Sequence, residues 1–174
     1  MPSDLHVRPA TEADLDAVGD LCVQAYASSG HLDPEDAYAA TLRDAAARAS
    51  QAELVVAERG GRLVGSVTIC PTGSPFAEVG RDGEFEFRFL AVAPDAWRSG
   101  VGEALIDHCE QQARLRGASA HVICVIDRND GAHRFYERLG FVRLPERDWD
   151  PRPDVHLLAY RRTVPFEGVT AGSR

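Results

Sequence analysis

The segment from residue 84 to residue 126 constrains the fold most, because strand, turn, helix and strand follow one another without interruption. Residues 84–92 alternate in polarity, which predicts a strand. Pro94 ends that strand, and a helix is predicted from Gly100 to about Gly117. The apolar run 121–126 is typical of a strand buried on both faces. Since a helical crossover joins parallel strands, the sequence predicts a parallel pair inside a mixed sheet.

The alternation in 84–92 also predicts which side chains share a face. One face should carry Phe85, Phe87, Phe89 and Ala91, and the other should carry Glu86, Arg88, Leu90 and Val92.

The flanking sequence predicts a single domain over residues 1–174. Its further elements are a strand at 5–8, helices from Thr11 and Pro34, a hairpin of 53–58 and 62–70, a loop at 71–83, a helix from Asn129 to Gly140, and closing strands at 141–144 and 154–162. Residues 163–174 are predicted to be a frayed tail. The expected class is α/β, with a predominantly antiparallel mixed sheet, a central parallel pair and flanking helices.

Composition excludes several classes. A net charge of −8 without a basic stripe disfavours a nucleic-acid binder. No apolar run approaches the ~18 residues of a membrane span, and no secretion signal begins the chain, so we expect no membrane partner and a cytoplasmic protein. The four cysteines lack CxxC spacing and indicate a reduced compartment: Cys22, Cys70, Cys109 and Cys124. A homodimer is left open.

A glycine turn between the strand and the helix predicts an anion site. Gly100 and Gly102 precede the helix, so its first N–H groups can meet a phosphate without Cβ atoms in the way. The turn is not a Walker loop, since no Gly-Lys-Ser/Thr follows, and Leu105 stands where a dinucleotide fingerprint has its third glycine. Alone, this motif indicates an anion, with nucleotides among the candidates, and a plain strand-to-helix turn would also explain its two glycines.

A second motif narrows the prediction. The segment 133–141 reads HisArgPheTyrGluArgLeuGlyPhe and follows Asn129. With Leu90–Val92 and the turn Gly100–Gly102, it resembles the GNAT N-acetyltransferase superfamily, in an order of elements that matches residues 5–160. The resemblance implies an enzyme that transfers acetyl directly from acetyl-CoA to a primary amine, without a metal.

The resemblance also implies the coenzyme contacts. Backbone groups of Leu90, Ala91 and Val92 would pair with the pantetheine arm, and the amides of Arg98, Ser99, Gly100, Val101, Gly102 and Glu103 would surround the pyrophosphate. Asn129 would bond the pantetheine or cap its helix. Two positions depart from the family: Trp97 replaces a Gln or Arg, and Cys124 replaces the basic Glu of ribosomal-protein acetyltransferases.

Catalysis requires a base, because an alkyl ammonium has a pKa near ~10. Glu86 is the candidate, on the face predicted for Leu90 and Val92, although an ion pair would also explain it. Glu84, His121 and a water relay are the alternatives. Tyr136 is the candidate acid for the leaving thiolate, with packing as its other role, and a backbone N–H near Val92 would polarise the carbonyl.

The acceptor remains open among small-molecule and peptide amines. Four aromatic and imidazole side chains could line its pocket or simply pack: Tyr26, His31, Tyr38 and Trp149. The principal alternative is a non-catalytic acyl-CoA-binding module of the same fold. A toxin that acetylates aminoacyl-tRNA is disfavoured by the absence of a basic stripe.

Overall fold

The computed structural model describes residues 4–33 and 35–166. Its strands are β1 (Leu5–Pro9), β2 (Glu53–Arg59), β3 (Arg62–Cys70), β4 (Glu84–Val92), β5 (Ala120–Ile126), β6 (Val142–Arg143), β7 (Trp149–Arg152) and β8 (Val155–Thr163). Its helices are α1 (Leu15–Ser28), α2 (Ala37–Arg43), α3 (Ala45–Gln51), α4 (Val101–Leu115) and α5 (Asp130–Arg138).

These strands form one eight-stranded sheet in the order β1-β2-β3-β4-β5-β8-β6, with β7 paired to β8. Strands β4 and β5 are parallel, and the other neighbouring pairs are antiparallel. The predicted fold class is confirmed. In the parallel pair, only Glu84–Glu86 of β4 are paired with Ala120–Val122 of β5. Beyond these residues the two strands separate, so a gap opens between them.

Each face of the sheet carries its own hydrophobic core. The first core packs α4 and α5 against the sheet and includes Leu105, Cys109 and Tyr136. The second core packs α1, α2 and α3 on the opposite face and includes Val18 and Leu42. The gap therefore lies in a sheet that has a layer of helices on each face.

A bulge in β4 changes which face its side chains occupy. The register with β3 shifts between Ser66 and Thr68, and Phe89 has a φ of 56°. The four residues predicted to share one face are therefore divided, because an extra residue in one strand reverses the alternation. Phe85 and Phe87 lie in the first core, whereas Phe89 and Ala91 lie in the second.

The same bulge makes the predicted placement of Glu86 wrong. Leu90 and Val92 pack against the first core, and Glu86 points away from it. The alternation in the sequence could not reveal this reversal, because a phenylalanine with positive φ is uncommon and leaves no signal in the polarity pattern.

The helical segment after α1 is divided into two short helices. The Asp36 side chain accepts a hydrogen bond from the Tyr38 N–H and caps α2, and Asp44 accepts from the Ala47 N–H and caps α3. Pro34, the predicted start, lies outside the described residues.

The chain end also differs from the prediction. Strand β7 was not predicted, and the strand expected at 141–144 shortens to two residues. Thr163 belongs to β8, and the Val164 N–H donates to the Ser119 carbonyl over 3.0 Å. The prediction of a frayed tail from residue 163 is therefore wrong for these two residues. Residues 167–174 lie outside the described part of the chain.

Candidate active site

The open edge of β4 has backbone groups available beside the gap. The Ala93 N–H donates to the Val64 carbonyl over 2.8 Å, which places Ala93 against β3. Because neighbouring residues in a strand direct their backbone groups to opposite edges, the N–H and C=O of Val92 face the gap. The predicted splay beside Leu90, Ala91 and Val92 is therefore present, and it offers strand-like hydrogen bonding to an extended ligand.

The turn before α4 presents a set of free amides. Within residues 4–33 and 35–166, the backbone N–H groups of residues 98–103 make no hydrogen bond to protein. Gly100 has a φ of 83° and a Cβ there would meet nothing within 4 Å, so the turn is open to solvent. Since these amides lie at the positive end of a 15-residue helix, they form a site for an anion.

Two further glycines allow α4 to approach the sheet and α5. A Cβ on Gly65 would lie 2.6 Å from Val101 and 3.0 Å from Leu105, so α4 requires a glycine beneath its first turns. A Cβ on Gly102 would lie 3.0 Å from the Phe135 ring. Gly102 is thus needed for packing against α5, and only its amide belongs to the anion site.

The departure at Trp97 has a structural consequence. The indole N–H of Trp97 donates to the Val92 carbonyl oxygen over 2.8 Å, and the side chain is 45% exposed. Trp97 therefore occupies a backbone acceptor on the open edge and leaves the amides of the turn uncovered.

Sequence reasoning missed a cation at this turn. The Arg59 guanidinium donates to the Ser99 hydroxyl over 3.0 Å and to the Ser99 carbonyl over 3.2 Å. Glu103, which would repel an anion, is paired with Arg138 over 3.1 Å. Arg59 lies 40 residues away in the chain, and no local motif connects it to the turn.

Tyr136 lies in the first core. Its ring contacts Phe87 and Phe141 with centroid separations of 6.3 and 5.3 Å, and burial raises the pKa of its phenol. The hydroxyl makes no hydrogen bond to any residue in the described part of the chain, and a nearby Tyr136 charge contributes to raising the pKa of Tyr26 on the opposite face. The two phenols therefore approach each other through the sheet.

Asn129 acts as a helix cap. Its side-chain oxygen accepts a hydrogen bond from the Ala132 N–H over 3.1 Å at the start of α5. The capping role considered from the sequence is confirmed, and a pantetheine contact stays a prediction.

The three carboxylate and imidazole candidates for the base are all engaged. Glu86 is 3% exposed, and its carboxylate accepts hydrogen bonds from the backbone N–H groups of Glu78, Val79 and Gly80. Glu84 pairs with Arg147. His121 lies in the first core beside Phe85 and Phe87, with Nε2 2.7 Å from Glu110, and burial lowers its pKa.

The opposite side of the gap holds a group of polar and aromatic side chains beside the second core. Arg88 packs over Phe89 with 4.4 Å between the guanidinium carbon and the ring centroid. Tyr26 and Tyr38 lie close enough to Arg88 for its charge to lower both phenol pKa values, although burial raises them overall. Two of the four predicted wall residues therefore lie together.

The other two wall residues contribute differently. The indole nitrogen of Trp149 is buried, and its interaction with the Cys124 thiol lowers the pKa of that thiol against the larger rise that burial causes. The His31 N–H donates to the Tyr26 carbonyl over 3.3 Å, which ends α1, and its side chain has no recorded polar contact in the described chain. Arg152 of β7 lies 3.9 Å from Asp36, so the closing hairpin reaches the start of α2.

Cys124 faces the same side as Glu78 and Glu86. Burial raises the pKa of its thiol to about 12, and these two carboxylates contribute to the rise, so Cys124 is not a thiolate nucleophile. Among the described residues, no three His, Cys, Asp or Glu side chains form a metal-binding group, and no helix is long and apolar enough to cross a membrane.

Comparison with known structures identifies the fold. An acetyltransferase of the GNAT family from Staphylococcus aureus superposes with a TM-score of 0.72 at 12% identity, covering 92% of this chain and 99% of that one. A ribosomal-protein alanine N-acetyltransferase from Escherichia coli gives 0.68 at 20% identity, with 97% and 99% covered. The PaiA N-acetyltransferase from Thermoplasma acidophilum, in complex with coenzyme A, gives 0.67 at 15% identity, with 89% and 97% covered. The chain shares the fold of these three structures.

The family follows from the sequence comparison. The model of the acetyltransferase (GNAT) family matches residues 18–141, which is more than half of the chain. In a separate comparison, no curated protein sequence matches this chain. This chain belongs to the GNAT acetyltransferase family.

Proposed function

We propose that this protein transfers the acetyl group of acetyl-CoA to a primary amine. The observation that carries the proposal is the gap between β4 and β5, which leads directly to the free amides before α4. An extended thioester with a diphosphate needs strand-like backbone partners at one end and an anion site at the other. Both lie on adjacent segments of this chain.

The coenzyme would bind chiefly through backbone groups. Leu90, Ala91 and Val92 border the gap, where the Val92 N–H would donate to the pantetheine while the Val92 carbonyl already accepts from the Trp97 indole. The amides of Arg98, Ser99, Gly100, Val101, Gly102 and Glu103 would hold the pyrophosphate. The Arg98 side chain, which has no ion pair within the described residues, and Arg59 would add positive charge.

Tyr136 would act as the acid. Its buried phenol stays protonated at neutral pH, and its hydroxyl has no competing hydrogen bond to the described protein. It can therefore donate to the sulfur as the thiolate leaves. A backbone N–H near Val92 would polarise the carbonyl, as donors directed at a developing oxyanion do.

The acceptor would enter from the face that carries Tyr26, Tyr38 and Arg88, since Tyr136 and α5 cover the other side of the gap. Peptide N-termini belong in the test because a structural neighbour is a ribosomal-protein alanine N-acetyltransferase. Because Cys124 stands where the ribosomal-protein acetyltransferases have their basic Glu, this chain would need a different base.

The test is a thiol-release assay with acetyl-CoA and four amines: spermidine, tyramine, glycinamide and a peptide with a free N-terminal alanine. We expect turnover with one or more of them, together with calorimetric binding of CoA. Binding without turnover, unchanged in Tyr136→Phe, would support a non-catalytic acyl-CoA-binding module instead. Absence of CoA binding would refute the proposal.

A further inference from the structure

The carboxylate of Glu86 holds a loop in place. The Glu78 N–H donates to Oε1 over 2.9 Å, and the Val79 and Gly80 N–H groups donate to Oε2 over 3.2 and 2.8 Å. Three consecutive amides therefore surround one buried carboxylate, much as amides surround a bound anion. A base must offer a free oxygen to the acceptor, and both Glu86 oxygens already accept from this loop.

The anchored loop carries another carboxylate to the gap. Glu78 lies 2.5 Å from Arg88 Nε, and Arg88 Nη1 donates to the Phe76 carbonyl over 3.0 Å. Phe76 in turn meets the Phe89 ring edge-on, with 6.1 Å between centroids. The loop from Phe76 to Gly80 thus lies over β4 at the bulge, on the face from which the acceptor would enter.

The Glu78 carboxylate is oriented by an ion pair with Arg88. Oε1 contacts Arg88 Nε, and neither carboxylate oxygen accepts a hydrogen bond from a backbone N–H of the described residues. The side chain is 14% exposed, so it is sheltered from solvent and still accessible. Arg88 therefore fixes the orientation of this carboxylate, and no backbone amide competes for its oxygens as the loop amides do at Glu86.

We propose that Glu78 is the general base of the transfer reaction, and that Glu86 is a positioning residue that holds the Glu78 loop over the gap. The inference rests on the proposed function, whose chemistry requires a base at this face. The base and the buried carboxylate that holds its loop are therefore two different residues, whereas the sequence alone predicts Glu86 as the base.

The electrostatic surroundings suit this role. Burial raises the pKa of Glu78 above its ordinary value, Arg88 opposes that rise, and Glu86 adds to it. A carboxylate with a raised pKa is a stronger base than an ordinary one. The titratable and charged groups that face Glu78 are Tyr38 of α2, Cys70 of β3, Glu86 and Arg88 of β4, and Cys124 of β5.

The proton balance of the step is complete. Glu78 takes one proton from the ammonium, and the neutral amine nitrogen forms a bond to the thioester carbon. The carbon–sulfur bond then breaks, and Tyr136 protonates the sulfur. The new amide nitrogen loses its extra proton to restore the Tyr136 phenol, and Glu78 releases its proton to water. The products are the acetamide, CoA thiol and one proton.

The experiment compares Glu78→Gln with Glu86→Gln and with Glu146→Gln, a control at an exposed carboxylate. Thiol release is followed from pH 6 to pH 10 with the best amine of the panel, or as acetyl-CoA hydrolysis if no amine reacts. The amide oxygen introduced by Glu78→Gln can still accept a hydrogen bond from Arg88, so CoA affinity should stay unchanged. We expect kcat/KM at pH 7 to fall about 100-fold, with recovery as pH approaches the amine pKa of about 10.

The pH profiles separate the two carboxylates. The acidic limb of the kcat/KM profile, which reports ionisation of the base, should disappear in Glu78→Gln and persist in Glu86→Gln. The Glu86→Gln substitution should instead loosen the loop and lower the melting temperature. A Glu78→Gln enzyme with wild-type kcat/KM and an unchanged acidic limb would overturn the assignment alone. A wild-type protein that releases thiol with neither amine nor water would overturn the proposed function and this assignment with it.

Discussion

The two sides of the gap differ in the groups that form them: one consists of backbone groups and the other of side chains. The proposed coenzyme side consists of backbone groups from one continuous segment, residues 90–103, and Trp97 leaves the amides of its turn uncovered. The proposed acceptor side consists of side chains from several elements, including Tyr26 of α1, Glu78 of the loop before β4 and Cys124 of β5. A continuous backbone site can persist while sequences diverge, whereas a side-chain site changes with each substitution.

The largest effect is expected at the point where the two sides meet. Tyr136→Phe should lower kcat about 100-fold, because the acid is lost, and should leave CoA affinity unchanged. Its melting temperature should not fall, since the hydroxyl has no hydrogen bond to the described protein.

The matched control is Tyr160→Phe. That hydroxyl lies 2.6 Å from His133 Nδ1, so its loss should cost about 1 kcal/mol of stability and leave turnover intact. Stopped-flow thiol release and differential scanning calorimetry measure the two quantities. Equal kinetic losses in both variants would assign Tyr136 a packing role.

Gly65→Ala tests whether the coenzyme side depends on close packing of α4. The new Cβ would lie 2.6 Å from Val101, so the helix must shift, at a cost of about 1–3 kcal/mol in unfolding free energy. We expect CoA affinity to fall together with stability, because the free amides move with the helix. Gly131→Ala, whose Cβ meets its nearest neighbour at 3.7 Å, should preserve stability.

Gly100→Ala distinguishes the effect of backbone strain on stability from the effect of the turn on CoA binding. Alanine at a φ of 83° costs about 1 kcal/mol, and Gly30→Ala, at a φ of 80° in equally open surroundings, should cost the same. Only the Gly100 variant should also weaken CoA binding, which calorimetry would show as a several-fold higher Kd. Equal CoA affinity in both variants would show that the turn does not hold the diphosphate.

The smallest effect is expected from Trp97→Phe. The indole N–H competes for the Val92 carbonyl, and its loss should release an acceptor worth about 1 kcal/mol, or roughly a fivefold gain in CoA affinity. Trp149→Phe should leave CoA affinity unchanged. Weaker CoA binding by the Trp97 variant would mean that the indole itself contacts the coenzyme.

The sequence predicted the strand, turn and helix of the proposed coenzyme side because their signal is local. Pro94, Gly100 and the helix that follows lie within one turn-forming segment, and glycine at positive φ has a direct physical cause. The capping role of Asn129 was also available from sequence, because a cap lies next to the helix it begins.

The acceptor side could not be predicted in the same way. The proposed role of Glu78 depends on a loop whose shape is set by hydrogen bonds to the Glu86 carboxylate, and residue polarity does not encode such bonds. Arg59 reaches Ser99 only after the sheet and α4 have assembled. The reversal at Phe89 occurs inside an unbroken alternating pattern, so the pattern itself gave the wrong face for Glu86.

The reversal at Phe89 also makes the length of β4 critical. Up to Arg88, the strand supplies polar side chains to the acceptor face, and beyond the bulge it turns Leu90 and Val92 toward the other helical layer. Deleting Phe89 would restore a regular alternation in which Glu86 and Arg88 keep the acceptor face and Leu90 and Val92 keep the other, with only the Phe89 ring lost from the second core. Deleting or inserting one residue elsewhere in the strand would exchange the two faces, so the strand should tolerate such changes far less than the neighbouring loop does.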